Sequence, residues 1–435
     1  MGKRGIVPAF PALAAVLLGV TCSPSPMAQQ QPKTGADIVI GVPNAATGEF
    51  NVEGPLTKQG YDLWADWANA NGGIDVKGVR HKVKLLHQDD QSKPQLSAQI
   101  AEQMLTRDGA RFLLAPFGSP TTAAVGAVAE QHQVPLVAAN AGARQVFLQG
   151  LHYTFGILAP VDQYSATAID WELSRTPRPQ TLAILTADDA ASMLIAKGLI
   201  DHATTKGIKI VFQQQYPAGT TNLYPLVQQA KALRPDLFFN SGRFLEAVAA
   251  HKAARDLQFD TNLLTYAVGP AQPEFVQALG PAADFAVTVS PWTAQAKFKA
   301  DYGPTTAQYV AAYRQKYHAE HEPGFVTADA TAAGLALEVA IKRAGSLDPR
   351  SVRDALAALD VNTFYGRLKF DPQGQNTFHN VLVEQVLNGQ LQTVWPPELA
   401  SAPAQYPMPT WEARFGAAAQ PPKPKLPGTG VSPRR

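Results

Sequence analysis

Two short loops carry the side chains with the clearest chemical use. Phe117-Gly118-Ser119-Pro120-Thr121-Thr122 supplies the Ser119 and Thr121 hydroxyls, and Asn140-Ala141-Gly142-Ala143 supplies an amide. Gly118 and Gly142 let a ligand come close to the main chain. Such groups hold a small polar molecule; alone they do not transform one. Ser119 lacks the flanking glycines of a nucleophile elbow, because Phe117 and Thr121 occupy those positions. The chain has no phosphate-cradling GxxxxGK(S/T), and its first strand–helix loop lacks GxGxxG. His318-Ala319-Glu320-His321 comes nearest to a metal cluster, but Glu322-Pro323 ends the segment and the spacing of helical metalloproteases is missing. Asp89-Asp90-Gln91 could suggest acid–base work; next to Lys93 and Pro94 it reads better as the cap of a following helix. The residues point to binding without catalysis and call for no cofactor.

The elements around these loops decide whether they meet. Phe112-Leu113-Leu114-Ala115 reads as a buried strand, Ala124, Val125, Val128 and Ala129 have helical spacing, and 134–139 is a second apolar strand. Strand, helix, strand is a parallel βαβ unit, so both loops fall on one sheet edge, where open α/β sheets bind ligands. A helix starting near Thr121 would aim free N–H groups at an anion. Upstream, 38–42 is a strand leading into a loop that contains Thr47. A helix over 56–69 follows, with Tyr61, Trp64 and Trp67 at core spacing. Downstream the alternation begins afresh: strands at 181–186, 211–215, 237–240 and 263–268, with helices between. Two similar α/β domains are expected, each with a parallel-rich sheet.

At 435 residues the chain can bury two full cores. Its 37 Lys+Arg against 35 Asp+Glu leave a net charge of +2, which argues against nucleic acid or an anionic membrane as partner. Lys3 and Arg4 precede an apolar stretch, Ile6 to Val20, with the layout of a secretory signal. Two processing points stay open: lipidation at Cys22, the one cysteine, and cleavage after Ala28.

Residues 83–94 (VKLLHQDDQSKP), 115–119 (APFGS) and 134–140 (VPLVAAN) resemble the first lobe of the branched-chain amino acid type of periplasmic binding protein. The resemblance continues at 344–349 (AGSLDP), 364–370 (FYGRLKF) and 394–399 (VWPPEL), covering about 37 to 400 in the same order. These are the type I solute-binding proteins of ABC importers. The resemblance implies two Rossmann-like lobes joined by a three-stranded hinge. It divides the chain into a signal peptide at 1–28, a first lobe at 37–156 and 288–362, a second lobe at 157–287 and 363–400, and a Pro-rich disordered tail at 401–435. It further implies a monomer, exported to the periplasm or the outer face of the cytoplasmic membrane, that passes a small organic solute to permease subunits. A ligand-sensing receptor component of the same fold and an envelope amidase are the rival readings.

Carried over by position, Ser119 falls on the family's ligand-gripping serine, with Asn140, Ala141 and Gly142 in the second loop and Thr47 in the first. In the second lobe Asp189, Arg243, Phe244 and Tyr266 fall on ligand-side loops. Trp292 could line the cleft or pack in the core. An acid that would pair with a ligand amine is absent at Ala267, and Arg243 faces either the cleft or solvent. A solute with an anionic group and no necessary amine is therefore expected.

Overall fold

The computed structural model describes residues 33–379 and 381–416. The first sheet has five parallel strands in the spatial order Val83–Asp89, Ile38–Asn44, Phe112–Leu114, Leu136–Ala138, Thr154–Gly156. Helices cover both faces, so the inner strands are continuous apolar runs: Phe112, Leu113 and Leu114 are fully buried. The second sheet has seven strands, ordered Lys209–Tyr216, Thr181–Ala187, Leu237–Ser241, Leu263–Tyr266, Ala286–Ser290, Leu382–Leu387, Gln390–Trp395. Its first five are parallel and the last two antiparallel.

In each sheet the strand that comes first in sequence sits between the second and the third. The winding reverses there, and a crevice opens at the carboxyl ends of that strand and its later neighbour. In the first sheet the crevice lies between the loops after Asn44 and after Leu114. In the second it lies between those after Ala187 and after Ser241. The repeated order is the duplication announced by the renewed strand–helix alternation.

After Ala286–Ser290 the chain returns to the first lobe through helices Thr306–Tyr317 and Phe325–Ala344. The second of these packs closely on Glu53–Ala70. A Cβ on Gly60 would stand 2.2 Å from the Thr327 carbonyl oxygen, and one on Gly334 would stand 2.1 Å from the Trp64 ring. Trp64 Nε1 donates to Glu338 Oε2 at 3.0 Å and Thr331 Oγ1 to the Gly60 carbonyl at 2.8 Å, which fixes the helix register.

The boundary expected at 363 lies too early. Strands Asp360–Thr363 and Gly366–Lys369 form a hairpin of their own, and Phe364, Tyr365, Leu368 and Phe370 are buried in the first lobe's core. Trp292 Nε1 donates to the Phe364 carbonyl at 3.0 Å, and the Tyr309 ring stacks on Phe364 with centroids 4.1 Å apart. Alternation along a strand marks the strand but does not say which core receives its apolar face. The third crossing consequently follows Phe370 and precedes strand Leu382–Leu387. It is tied to the first crossing where the Asn376 amide donates to the Gly156 carbonyl at 2.9 Å. It is tied to the second where His379 Nε2 lies 2.6 Å from the Pro291 carbonyl oxygen.

The disorder expected from 401 onward does not hold over 401–416. Thr410 caps the short helix Trp411–Phe415. Trp411 is 2% exposed and donates from Nε1 to the Phe259 carbonyl at 3.0 Å, docking the segment on the second lobe. One aromatic anchor suffices here, and composition averaged over a Pro-rich stretch hides it. The signal peptide at 1–28, Cys22 and residues 417–435 lie outside the described residues.

Candidate ligand cleft

The first-lobe loops do lie side by side. Gly118 takes a φ of +99°, and from it the helix Ser119–His132 begins, two residues before the start expected near Thr121. Ser119 Oγ accepts the Ala143 amide at 3.2 Å, and the Gly118 amide donates to the Asn140 carbonyl at 3.3 Å. Phe50 from the loop after the first strand packs edge-on against Phe117, centroids 5.2 Å apart. Asp89 pins that loop by accepting from the Thr47 amide at 3.1 Å and the Thr47 hydroxyl at 2.7 Å. Its neighbour Asp90 accepts from the Ser92 amide and from Ser97 Oγ. The acidic pair therefore braces loops; Lys93, not an aspartate, is the cap residue of helix Pro94–Thr106.

Asn140 is buried and donates from Nδ2 to Thr57 Oγ1 at 3.2 Å and to the Val326 carbonyl at 3.3 Å. Its buried Oδ1 has no hydrogen-bond partner. At Gly142 a Cβ would meet Val161 Cγ1 at 2.5 Å. The Val161 amide donates to the Gly142 carbonyl at 3.1 Å. A glycine is required here because the helix Val161–Leu173 of the second lobe comes against it.

On the second lobe Asp189 caps helix Ala190–Thr205, accepting from the Ser192 amide and, at 2.6 Å, from Ser192 Oγ. Partial burial pushes its carboxyl up; Ser192 and Arg243 outweigh that and hold it below the usual carboxylate range. Arg243 Nη2 lies 3.5 Å from Asp189 Oδ1 and 3.9 Å from Glu49 Oε1. Glu49 belongs to the first lobe's crevice loop and Arg243 to the second lobe's. The arginine therefore spans the two switch points, its side chain 48% exposed. The sequence left it facing either the cleft or solvent, and the geometry places it between two carboxylates. That weakens the case for an anion held by Arg243 alone.

Four expected contacts are withdrawn, because the core takes up their side chains. Thr121 is fully buried and donates from Oγ1 to the Phe117 and Gly118 carbonyls at 2.6 and 2.9 Å. Ala141 packs in an apolar cluster with Val146 and Phe147. Tyr266 is fully buried in the second lobe with its hydroxyl 3.0 Å from His251 Nδ1. Trp292 is held by Tyr309 and Phe364, as above. Phe244, at the start of helix Phe244–Asp256, is half-buried against the second lobe's core. Ser119, Asn140, Gly118 and Gly142 remain on one side of the junction, Asp189 and Arg243 on the other, with Thr47 bracing the loop of Glu49.

One group was not anticipated. Asp329 lies in the first turn and a half of helix Phe325–Ala344, fully buried, and neither carboxyl oxygen has a hydrogen-bond partner. Tyr61, Tyr164, Tyr309 and Tyr365 come within electrostatic reach of it. Burial pushes its carboxyl well above the usual range, opposed by the Tyr365 hydroxyl, which approaches without completing a hydrogen bond of good geometry. The Tyr164, Tyr309 and Tyr365 hydroxyls are likewise without partners. Leaving a buried polar atom unsatisfied costs about 1–3 kcal/mol, so such a concentration is a strong feature. The sequence signal was an acid among the small and apolar residues Val326, Ala328, Ala330, Ala332 and Ala333 of that helix, where unpaired carboxylates are rare. Among the described residues no group of three or more His, Cys, Asp or Glu side chains could hold a metal ion.

Two doubly wound lobes, three crossings between them and a junction at the carboxyl ends of both sheets define a type I two-lobed binding protein. The periplasmic binding protein family model matches residues 37–390, and the chain belongs to that family. A Leu/Ile/Val-binding protein homolog of Brucella abortus (strain 2308) is 23% identical over 392 residues, covering 85% of this chain and 93% of the relative. Among solved structures, the branched-chain amino acid transporter substrate binding protein LivJ of Streptococcus pneumoniae, in complex with isoleucine, is 22% identical. It has a TM-score of 0.68 and covers 82% of this chain and 97% of its own. A solute binding protein of an ABC transporter from Rhodopseudomonas palustris BisB5, in complex with 3,4-dihydroxy benzoic acid, is 20% identical. Its TM-score is 0.65, and it covers 82% of this chain and 95% of its own. The chain is similar to these in fold.

Proposed function

We propose that this protein is the exported solute-binding component of an ABC importer. It holds an amino acid, an aromatic acid or an amide-like compound between its lobes and hands it to permease subunits without chemical change. The observation that carries the reading is the meeting of both switch points at one place, with Arg243 reaching from the second lobe to Glu49 of the first. Ligands of open α/β sheets bind at such points, and related proteins of this fold are described with isoleucine and with an aromatic acid bound. Ser119, at the start of its helix, and the main chain at Gly142 receive the carboxylate end of the solute. Arg243 and Glu49 draw together as the lobes close over it. Export places the mature chain outside the cytoplasmic membrane, as a free monomer or anchored through Cys22.

A thermal-shift panel of branched-chain and aromatic amino acids, benzoates and their amides tests the reading. A bound solute raises the melting temperature by an amount set by its concentration over Kd. A hit should lose about tenfold in affinity in Arg243→Ala, the scale of a charged hydrogen bond discounted for half-exposure. A panel without a hit, or turnover of a hit, contradicts the proposal.

A further inference from the structure

Asp329 is a costly residue to keep at the lobe junction for structure alone. Both carboxyl oxygens lack partners in a fully buried position, and of the four tyrosine hydroxyls around them those of Tyr164, Tyr309 and Tyr365 are unpartnered too, while that of Tyr61 donates to the Ala115 carbonyl. Tyr61 comes from helix Glu53–Ala70, Tyr309 from helix Thr306–Tyr317 and Tyr365 from the hairpin turn, all in the first lobe. Tyr164 comes from helix Val161–Leu173, which packs in the second lobe. Its hydroxyl is also unpartnered. The enclosure is thus shared between the lobes, and separating them uncovers its Tyr164 side. One helical turn before Asp329, the Val326 carbonyl accepts from the buried Asn140 side chain, whose Oδ1 is a further unpartnered acceptor at the end of the expected ligand loop.

We infer that Asp329 determines specificity in this cleft by accepting a hydrogen-bond-donating nitrogen of the solute, an ammonium, amidinium or amide N–H. The inference rests on the solute-binding reading above. A donor arriving between the open lobes satisfies the Asp329 oxygens and Asn140 Oδ1, and Tyr164 then closes over it. An end without a donor, such as an alkyl group or a carboxylate, brought to the same place leaves those acceptors orphaned, which is the stronger ground for discrimination. Burial favours the neutral form of the carboxyl in the unliganded protein. Pairing with an ammonium favours its ionised form, and the proton released passes to the solvent. The expectation of a solute without an amine, drawn from the acid missing at Ala267, is replaced by this acid from the other lobe.

The test uses the full mature chain with two matched pairs, isoleucine against its des-amino analogue and aminomethylbenzoate against benzoate. Calorimetry is run in two buffers that differ in ionisation enthalpy. The amine-bearing member of a binding pair should bind at least about tenfold tighter, the scale of one hydrogen bond to a charged group. Its binding should release a proton, and Asp329→Asn should erase both the preference and the proton release. Equal affinities within a pair, or a preference that survives Asp329→Asn, would overturn the role of Asp329 while leaving the solute-binding reading in place. A failure of every amine-bearing and amine-free solute to bind would remove that reading and this inference together. Should Asp329→Asn not fold, the wild-type proton release decides, and Tyr164→Phe, which deletes one hydroxyl of the enclosure, should reduce the preference while leaving the fold intact.

Discussion

A buried acid without a partner reports on pH as well as on ligand. Glu384 is 1% exposed, and neither carboxyl oxygen has a hydrogen-bond partner; the nearby Ser290 and Thr293 hydroxyls donate to the Trp292 carbonyl and to Gln295 instead. Burial pushes its carboxyl up to about 8, opposed by those two hydroxyls. The folded protein therefore binds this proton more tightly than the unfolded chain, whose value is 4.5. The stabilisation is complete below about 4.5 and is lost as pH rises through about 8. Glu384→Gln should flatten this loss, so the variant gains stability relative to wild type between pH 5 and pH 8.5; urea midpoints at the two pH values read the difference. Parallel pH profiles would contradict it. Glu384 was not legible as a strained group, and Asp329 showed only as an acid between small and apolar residues, because a sequence gives the residue type and not what surrounds it. The pairing of the two loops was legible, since a βαβ unit puts both at one sheet edge, and Ser119 does lie against Ala143 there. Arg243 was legible as a position but not as an ion pair, because Glu49 reaches it from the other lobe.

At the level of elements, the parallel strands and their order of appearance could be read directly, as could the helices after them. Period and length distinguish buried strands from amphipathic helices without knowledge of the partner. What could not be read was docking: the hairpin Asp360–Thr363 and Gly366–Lys369 goes to the first lobe through Phe364 and Leu368, and 401–416 is held by Trp411. Trp411→Ala should destabilise the second lobe by about 3–5 kcal/mol, the usual cost of emptying a buried aromatic site. An unfolding midpoint equal to wild type would show the segment to be unimportant for stability. The crossing of Glu53–Ala70 and Phe325–Ala344 sets the depth at which Asp329 sits. With the Thr327 carbonyl 2.2 Å from a Cβ at position 60, Gly60→Ala must push the helices apart. It should cost about 1–3 kcal/mol, measured by denaturant unfolding, and should weaken solute binding although residue 60 is enclosed between two helices of the first lobe.

The whole molecule is a pair of sheets that present their carboxyl ends to one another and share three crossings. The crossings are bound to each other at Gly156, Pro291 and His379, which gathers the links between the lobes into a short strap where bending is expected to concentrate. Bending of this kind opens and closes a cleft as rigid bodies. A solute shifts the balance toward the closed form only by its differential affinity for the two states. Arg243 and Glu49 come from different lobes and lie 3.9 Å apart, so if their attraction favours the closed form, Arg243→Ala should leave a larger open fraction at equal ligand saturation. Small-angle scattering of the full mature chain, with and without a saturating solute from the thermal-shift panel, tests the central claim most directly. Closure over the solute predicts a smaller radius of gyration in the bound sample; an unchanged radius alongside calorimetrically proven binding would contradict a two-lobed cleft that shuts on its ligand.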